Sequence, residues 1–220
     1  MLSMAIPSTD TVAFTDASDA AYDQDVGQFD RWSLRYERSK WQRLVFDRVH
    51  GRALGLAQSW PAPREVLDVG CGSGRLLRAA RERWPGARLL GVDPSAGMID
   101  AARRLTPAEL HVTGAESIPL PDASVDLAFS TIAFHHWTDA AQGLREVARV
   151  LRPEGHFVLI DNIGPDWIAS YLKDRPYLSA RQRVDTWAAS GLEVIGQRRM
   201  LIFPILPVVL ATVSVPHRGA

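Results

Sequence analysis

Residues 65–75 read Glu65-Val-Leu-Asp-Val-Gly-Cys-Gly-Ser-Gly-Arg75, a short apolar run that enters a turn with three glycines. Glycine has no Cβ, so the backbone of such a turn can approach a ligand closely. The residues that follow, from Arg75 to Trp84, have helical periodicity, with Leu77, Ala80 and Trp84 on one face. The stretch predicts a strand, a tight turn and a helix, and the turn lies where open α/β sheets bind ligands.

Strands and helices continue to alternate along the chain. Further strands are predicted over residues 88–93, 109–113, 125–130 and 156–161. Ser95 is the predicted N-cap of one intervening helix, and another spans Asp139 to Leu151. Such alternation requires a parallel sheet with helices on both faces. Two final strands, 192–202 and 208–215, are joined by a turn so short that only antiparallel pairing is possible. The expected fold is α/β, a doubly wound seven-stranded sheet with one antiparallel strand near the C-terminus.

Composition narrows the class of protein. Lys+Arg and Asp+Glu both number 25, so there is no basic surplus, and we expect no nucleic-acid partner. The single cysteine, Cys71, excludes a disulfide framework and a cysteine-rich zinc site. No basic segment followed by an apolar one begins the chain, and the most apolar stretch, 201–215, is short and contains prolines. We therefore expect a cytoplasmic protein without stable membrane insertion; the sequence gives no indication of oligomeric state.

The spacing of the three glycines indicates which class of ligand the turn can bind. The dinucleotide fingerprint G-x-G-x-x-G would place its third glycine at position 75, but that residue is Arg and the third glycine is Gly74. This spacing disfavours a nicotinamide-dependent oxidoreductase. Asp68 adds a carboxylate beside the turn, which is unfavourable next to a pyrophosphate but suited to a ligand ammonium. A tight turn without a ligand is the alternative interpretation.

Asp93 strengthens the case for a nucleoside ligand. It ends the second predicted strand, where an acidic residue meets the ribose hydroxyls in nucleoside-binding α/β folds. Charge-assisted hydrogen bonds of this kind contribute roughly 1.5–3 kcal/mol each. The alternative is a helix-capping aspartate, although Ser95 already offers a cap.

Several segments together resemble the class I S-adenosylmethionine-dependent methyltransferases, in the small-molecule branch known as methyltransferase type 11. The segments are 66–75, 91–98, 115–122, 134–137 and 150–155. The resemblance covers about residues 62–215 and implies a Rossmann-like fold with S-adenosylmethionine as cofactor. The part before it divides by pattern into a flexible tail over 1–27, which is rich in small and polar residues and has little periodicity, and a helical cap segment over 28–61; the cofactor-binding domain is expected over 62–220.

The resemblance also implies a cofactor site. Gly70 and Gly72 would line the methionine part and Asp93 the ribose, and the full set is Asp68, Gly70, Cys71, Gly72, Gly74, Asp93, Pro94, Met98, Ala115, Glu116, Ser130 and Thr131. One position departs from the family, which usually has an aspartate for the adenine amino group where this chain has Gly114. Glu116 is the candidate replacement.

The segment after the fourth strand limits the possible classes of methyl acceptor. It reads Ser130-Thr-Ile-Ala133, without the Asn/Asp-Pro-Pro-Tyr/Phe motif of nucleic-acid amino methyltransferases or the glutamate pair of protein-arginine methyltransferases. Asp161-Asn162 resembles the metal-binding pair of catechol-type enzymes, but Ser130 replaces their further aspartate. We therefore expect that no metal is bound and that Asp161 caps the following loop. We also expect a small-molecule acceptor, and the sequence does not decide whether the methylated atom is O, N or C.

Two histidines, His135 and His136, are the candidates for acid–base work, because a neutral imidazole accepts a proton near pH 7. Packing of these rings, with catalysis by alignment alone, is the alternative. Trp32 and Tyr36 are predicted to cover the acceptor pocket, whereas Trp41 fits the core better. A catalytically silent cofactor-binding partner protein is also compatible with the sequence.

Overall fold

The computed structural model describes residues 40–162, 186–187, 189–201 and 208–216. The helices are α1 (Lys40–Leu56), α2 (Arg75–Arg83), α3 (Ala96–Leu105) and α4 (Ala140–Val150), with 3₁₀ turns at Ala57–Ser59 and Phe134–His136. The strands are β1 (Glu65–Val69), β2 (Arg88–Asp93), β3 (Glu109–Val112), β4 (Val125–Thr131), β5 (Leu151–Asn162), β6 (Leu192–Leu201) and β7 (Val208–Pro216). The predicted tail, Trp32 and Tyr36 lie outside the described residues.

The strands form one sheet in the order β3-β2-β1-β4-β5-β7-β6. β1 pairs in parallel with β2 and β4, and β7 is antiparallel to both β5 and β6. The predicted doubly wound seven-stranded sheet with one antiparallel strand near the C-terminus is thus confirmed. The direction of strand order reverses at β1 and β4, so a crevice opens at their carboxyl ends, the usual ligand position in such sheets.

Helices cover both faces of the sheet, and successive strand residues point to opposite sides, so each strand contributes to two cores. On β1, Val66 packs into a core shared with α1, α2 and α3, whereas Leu67 packs into a core shared with α4. Because both faces of each parallel strand are buried, the sequences of these strands are continuous apolar runs rather than alternating patterns.

β5 begins earlier than the sequence predicts. Leu151 already pairs with Val125, and the next pair is His156 with Leu127, so the four residues from Arg152 to Gly155 bulge out of the ladder. Pro153 cannot donate a ladder hydrogen bond, which is consistent with a bulge at this point. A Cβ on Gly155 would lie 3.1 Å from the carbonyl oxygen of Val125, so the bulge packs tightly against β4.

Within the part of the chain that the structure describes, no helix is both long and apolar enough to cross a membrane.

Candidate cofactor and acceptor site

An open pocket lies at the carboxyl ends of β1, β2 and β4. Most residues of the predicted cofactor set line it, together with one of the two histidines: Asp68, Gly70, Cys71, Gly72, Asp93, Pro94, Met98, Ala115, Glu116, Thr131 and His136. Gly74, Ser130 and His135 do not line it. The topology therefore brings most of the predicted residues together at the switch point of the sheet.

The three glycines of the turn have different functions. All have left-handed backbone conformations, with φ of 80° at Gly70, 50° at Gly72 and 79° at Gly74. A Cβ on Gly70 would collide with that of Ala133, and one on Gly74 would lie 2.7 Å from Thr106 Oγ1. Around Gly72 no atom lies within 4 Å of that position. Gly70 and Gly74 thus allow close packing, whereas Gly72 leaves space in the pocket.

Asp93 fastens the glycine turn to the start of α3. Its Oδ2 accepts a hydrogen bond from the Gly72 N–H at 2.8 Å, and its Oδ1 accepts one from the Ser95 N–H at 2.9 Å. Ser95 Oγ accepts from the Met98 N–H at 3.1 Å, which confirms Ser95 as the N-cap of α3. The ribose contact stays a prediction.

Replacement of Asp93 with Asn tests whether the carboxylate binds the ligand in addition to fastening the loop. The amide has one acceptor oxygen and no charge, so one loop contact and the charge-assisted ligand contacts are lost. We expect S-adenosylhomocysteine affinity to fall by roughly ten- to a hundredfold in calorimetry. Ser95→Ala is the control, because it removes the helix cap and costs about 1 kcal/mol of stability but keeps the carboxylate. Equal losses of affinity in both variants would show that Asp93 acts only through α3.

Asp68 is a buried carboxylate that fits a cationic ligand. Its side chain lines the pocket, the residue is only 2% exposed, and Oδ1 has no hydrogen-bond partner among the described residues. Burial, with a smaller contribution from the negative charge of Asp93, raises the pKa of Asp68 to about 8. A buried oxygen without a partner is costly, and a ligand ammonium would satisfy it.

The raised pKa of Asp68 gives a pH dependence with a definite sign. The carboxyl is protonated in the ligand-free fold below about pH 8 but ionises near its ordinary pKa of 3.8 in the unfolded chain. The free energy of unfolding therefore falls as pH rises from about 4 to about 8. Ammonium binding favours the ionised form, so affinity for S-adenosylhomocysteine should rise over the upper part of this range.

Calorimetry between about pH 6 and pH 9 on wild type and Asp68→Asn checks this prediction. The variant carries a neutral side chain of the same shape, so its affinity should be lower and should lose the part of the pH dependence that comes from Asp68. An affinity that rises equally in both proteins would assign the pH dependence to another group.

Cys71 and Ser130 are both buried, but they differ in their relation to the pocket. Burial and the neighbouring carboxylates raise the pKa of the Cys71 thiol, so it is an unreactive part of the pocket wall rather than a nucleophile. Ser130 lies within β4, fully buried beneath the pocket, and its Oγ has no partner among the described residues. Its side chain is therefore not part of the pocket lining.

The two histidines occupy different positions. His136 lines the pocket, whereas His135 is bound by Asp161 at the end of β5. His135 Nδ1 lies 2.8 Å from Asp161 Oδ1, and the His135 N–H donates to Asp161 Oδ2 at 3.0 Å. The two imidazole rings are 4.0 Å apart between centroids. Asp161 thus holds the loop after β4, while the loop that it is predicted to cap begins beyond the described residues.

At Ile132 the chain turns away from the sheet into the loop after β4. It has φ of 53°, a left-handed conformation that is an outlier for a β-branched residue, and it lines the pocket. Its N–H donates to the carbonyl of Ile160 at 2.8 Å, so β5 fixes the turn. Strain of this kind is found at functional sites, where the surrounding structure enforces it.

The loop that is predicted to face the adenine is fastened to α4 and its N-cap. Glu116 Oε1 accepts a hydrogen bond from the Asp139 N–H at 3.0 Å, and Arg149 donates to the carbonyls of Ile118 and Leu120, each at 2.8 Å. Gly114 lines the pocket where the resemblance would place an aspartate. Because one oxygen of Glu116 already anchors the loop, its proposed contact with adenine stays a prediction.

Three further residues line the pocket from α1 and α2, although the sequence did not single them out. Phe46, His50 and Arg75 all line it. Burial, with the charges of Arg75 and Arg78, lowers the pKa of His50 to about 3, so this imidazole is neutral. Helical periodicity predicts which residues share a face, but the side of α1 that faces the pocket depends on tertiary packing. The described residues contain no cluster of three or more His, Cys, Asp or Glu side chains suited to a metal ion.

This chain is similar in sequence to known methyltransferases. A family model described as "Methyltransferase domain" matches residues 67–159. A malonyl-[acyl-carrier protein] O-methyltransferase of Serratia marcescens is 37% identical in a 202-residue alignment that covers 86% of this chain and 76% of that protein. An uncharacterized methyltransferase of Mycobacterium bovis is 44% identical over 102 residues, or 46% of this chain and 41% of that protein.

Solved structures share the fold. A chain from the complex between the Haloferax volcanii Trm112 methyltransferase activator and a methyltransferase matches with a TM-score of 0.74 and 25% identity, covering 86% of this chain and 98% of that chain. The Burkholderia thailandensis 1,6-didemethyltoxoflavin-N1-methyltransferase, solved with S-adenosylhomocysteine, matches with a TM-score of 0.71 and 16% identity over 94% and 93% of the two chains. The chain therefore belongs to the class I S-adenosylmethionine-dependent methyltransferases, and S-adenosylmethionine is its cofactor.

Proposed function

We propose that this pocket binds S-adenosylmethionine and transfers its methyl group to a small-molecule acceptor without a metal ion. The observation that carries the proposal is the buried Asp68 Oδ1, which lacks a partner among the described residues and lines the same pocket as Gly72 and His136. A carboxylate suited to a cationic ligand group, a space without side chains and a candidate base thus lie in one pocket. Bound S-adenosylmethionine supplies an electrophilic methyl group.

The protein residues divide the work of binding. Asp68 would hold the ammonium of the methionine half, and Asp93 would accept from the ribose hydroxyls. The walls around the adenosine would come from Pro94, Met98 and Ala115, all of which line the pocket. Since the loops that carry these residues are already fixed by hydrogen bonds to Asp93 and α4, little reorganisation is needed on binding.

His136 is the proposed general base for the acceptor. Its ring lines the pocket, and the Phe134–His136 turn is held by the His136 N–H, which donates to the carbonyl of Ala133 at 3.0 Å. His135 is proposed as a positioning residue, because Asp161 fixes both its backbone and its ring next to His136. A neutral imidazole in this place can remove a proton from a hydroxyl or ammonium acceptor.

The side chains at two positions support the proposed metal independence. Ser130 replaces the aspartate that would complete a metal site at the end of β4, and its hydroxyl is buried beneath the pocket. Both oxygens of Asp161 bind His135. Alignment of the acceptor, rather than charge neutralisation by a cation, is the proposed source of rate enhancement.

The test is turnover of labelled S-adenosylmethionine against a panel of metabolites, with and without EDTA. A malonyl thioester stands first on the panel, because the Serratia marcescens relative is named for such an acceptor. Methyl transfer that EDTA leaves unchanged supports the proposal. Tight cofactor binding without turnover on any acceptor favours the silent binding protein, and loss of activity with EDTA would contradict metal independence.

A further inference from the structure

His50 is a buried polar side chain in the pocket wall. It belongs to α1, lines the pocket and is only 7% exposed. Neither ring nitrogen has a hydrogen-bond partner among the described residues. A neutral imidazole carries one N–H donor and one acceptor nitrogen, and buried groups of this kind lower stability when they lack a partner. A ligand in the pocket can supply the partner that the described fold does not.

The position of α1 indicates which part of the pocket His50 reaches. The helix packs against α2, β4 and β5, and the last two strands lead to the loop of His136 and to Asp161 at their carboxyl ends. Asp93, the proposed ribose contact, ends β2 instead, and β1 separates β2 from β4 in the sheet. His50 therefore approaches the pocket from the side of the proposed base rather than from the side of the adenosine.

Phe46 gives this wall an apolar neighbour for His50. It lies one helical turn earlier on the same face of α1 and also lines the pocket. The two rings are 5.9 Å apart between centroids and tilted by 43°. Pockets for small molecules combine apolar walls with a few polar groups that fix orientation. An apolar ring beside a hydrogen-bonding ring therefore suits a ligand that has an apolar part next to a polar atom.

The imidazole of His50 is suited to hydrogen bonding rather than to proton transfer. Burial, with the charges of Arg75 and Arg78, lowers the pKa of His50 to about 3, whereas an efficient general base has a pKa near the working pH. The neutral ring still has an N–H that can donate to an oxygen. Its function thus differs from that of His136, which is proposed to accept a proton.

We propose that His50 binds the methyl acceptor by donating a hydrogen bond to its carbonyl or hydroxyl oxygen, while Phe46 contacts the adjoining apolar part. This contact would orient the acceptor toward the transferred methyl group. It would also select oxygen-bearing substrates, because an analogue without the oxygen leaves the buried donor unpaired. The inference rests on the proposed function, which places acceptor and cofactor in one pocket.

Ligand-observed NMR on the complex with S-adenosylhomocysteine tests the contact with two matched pairs of probes. Phenol is paired with fluorobenzene and cyclohexanone with methylenecyclohexane, so the members of a pair have similar size but only the first offers an oxygen. Wild type should prefer the oxygen-bearing member of at least one pair by roughly three- to tenfold, the effect of one hydrogen bond. A wild-type complex that binds no probe, or binds both members of each pair alike, would overturn the inference.

Variants at the two ring positions isolate the imidazole. His50→Leu should bring the preference ratio close to one, and His50→Gln, whose amide N–H can still donate, should keep a preference. Phe46→Leu is the matched control, because it alters the apolar wall alone; it should weaken both members of a pair equally and leave the ratio unchanged. A ratio that survives in His50→Leu, or is lost in Phe46→Leu, contradicts the assignment to His50.

The melting temperature distinguishes this function from a structural one. Leucine has a similar volume and no polar group, so His50→Leu should melt at or above the wild-type temperature and keep its affinity for S-adenosylhomocysteine. A large fall in melting temperature would make His50 a structural residue. A roughly tenfold loss of S-adenosylhomocysteine affinity that His50→Gln reverses would assign His50 to the cofactor. Either result overturns the inference, whereas a wild-type protein that binds no S-adenosylhomocysteine would contradict the proposed cofactor site.

Discussion

Gly72→Asn is expected to lower the affinity for S-adenosylhomocysteine by roughly a hundredfold or more, while the melting temperature stays close to that of wild type. Asparagine tolerates the left-handed conformation that Gly72 adopts, with φ of 50°. No atom lies within 4 Å of the position of its Cβ, so the new side chain extends into the pocket without a clash in the ligand-free fold. It then occupies space that the methionine half of the cofactor needs.

Gly191→Asn is the matched control. Gly191 is also left-handed, with φ of 81°, and its Cβ would make an ordinary contact of 3.8 Å with Ala148. It is not part of the pocket lining, so binding should be unchanged. Gly70→Ala gives the contrasting result, because its collision with Ala133 should destabilise the fold itself. Wild-type affinity in Gly72→Asn would show that the cofactor binds elsewhere.

His136→Ala is expected to lower turnover by about 10²–10⁴, the usual contribution of a positioned general base, with cofactor affinity nearly unchanged. The reason is its position, since His136 lines the pocket at the loop after β4 and lies outside the glycine turn. The loss should shrink as pH rises, because an acceptor that ionises in solvent no longer needs the base. The pH–rate profile, measured once an acceptor is known, checks this.

The companion variant Asp161→Asn tests the positioning of the histidines. It weakens the two contacts that hold His135, so turnover should fall less than in His136→Ala while the shape of the pH profile is kept. His111→Ala is the control, because His111 lies on β3 and bonds to Glu109. If the pH–rate profile of His136→Ala overlays that of wild type at every pH, alignment of the acceptor with the methyl group would be the whole mechanism.

The fold could be predicted because each signal was local. The run from Glu65 to Arg75 specifies strand, turn and helix in one stretch, and the short connection before β7 permits only antiparallel pairing. Ser95 illustrates the same point, since a cap is determined by residues three positions apart. Parallel order then followed from connectivity rules that hold for nearly all such sheets.

The site was predicted less completely because its remaining features depend on contacts between distant segments. The sequence of two adjacent histidines does not indicate which of them faces the ligand. Asp161, 26 positions away from His135, decides this by binding His135. The anchoring of Gly72 by Asp93 spans 21 positions. Arg75 reads as the start of an amphipathic helix, and its place in the pocket wall appears only when α1 packs beside it.

The close approach of Gly70 and Ala133 has an evolutionary consequence. The glycine turn and the loop after β4 touch where one position lacks a Cβ and the other has only a methyl group. Substitutions at these two sites must therefore be epistatic, since added bulk at either is tolerated only if the backbones separate. Separation would move the wall that holds His136 away from the glycine turn. Divergence in acceptor choice should consequently accumulate at other pocket-wall positions such as Phe46, while Gly70 and Ala133 change together or not at all.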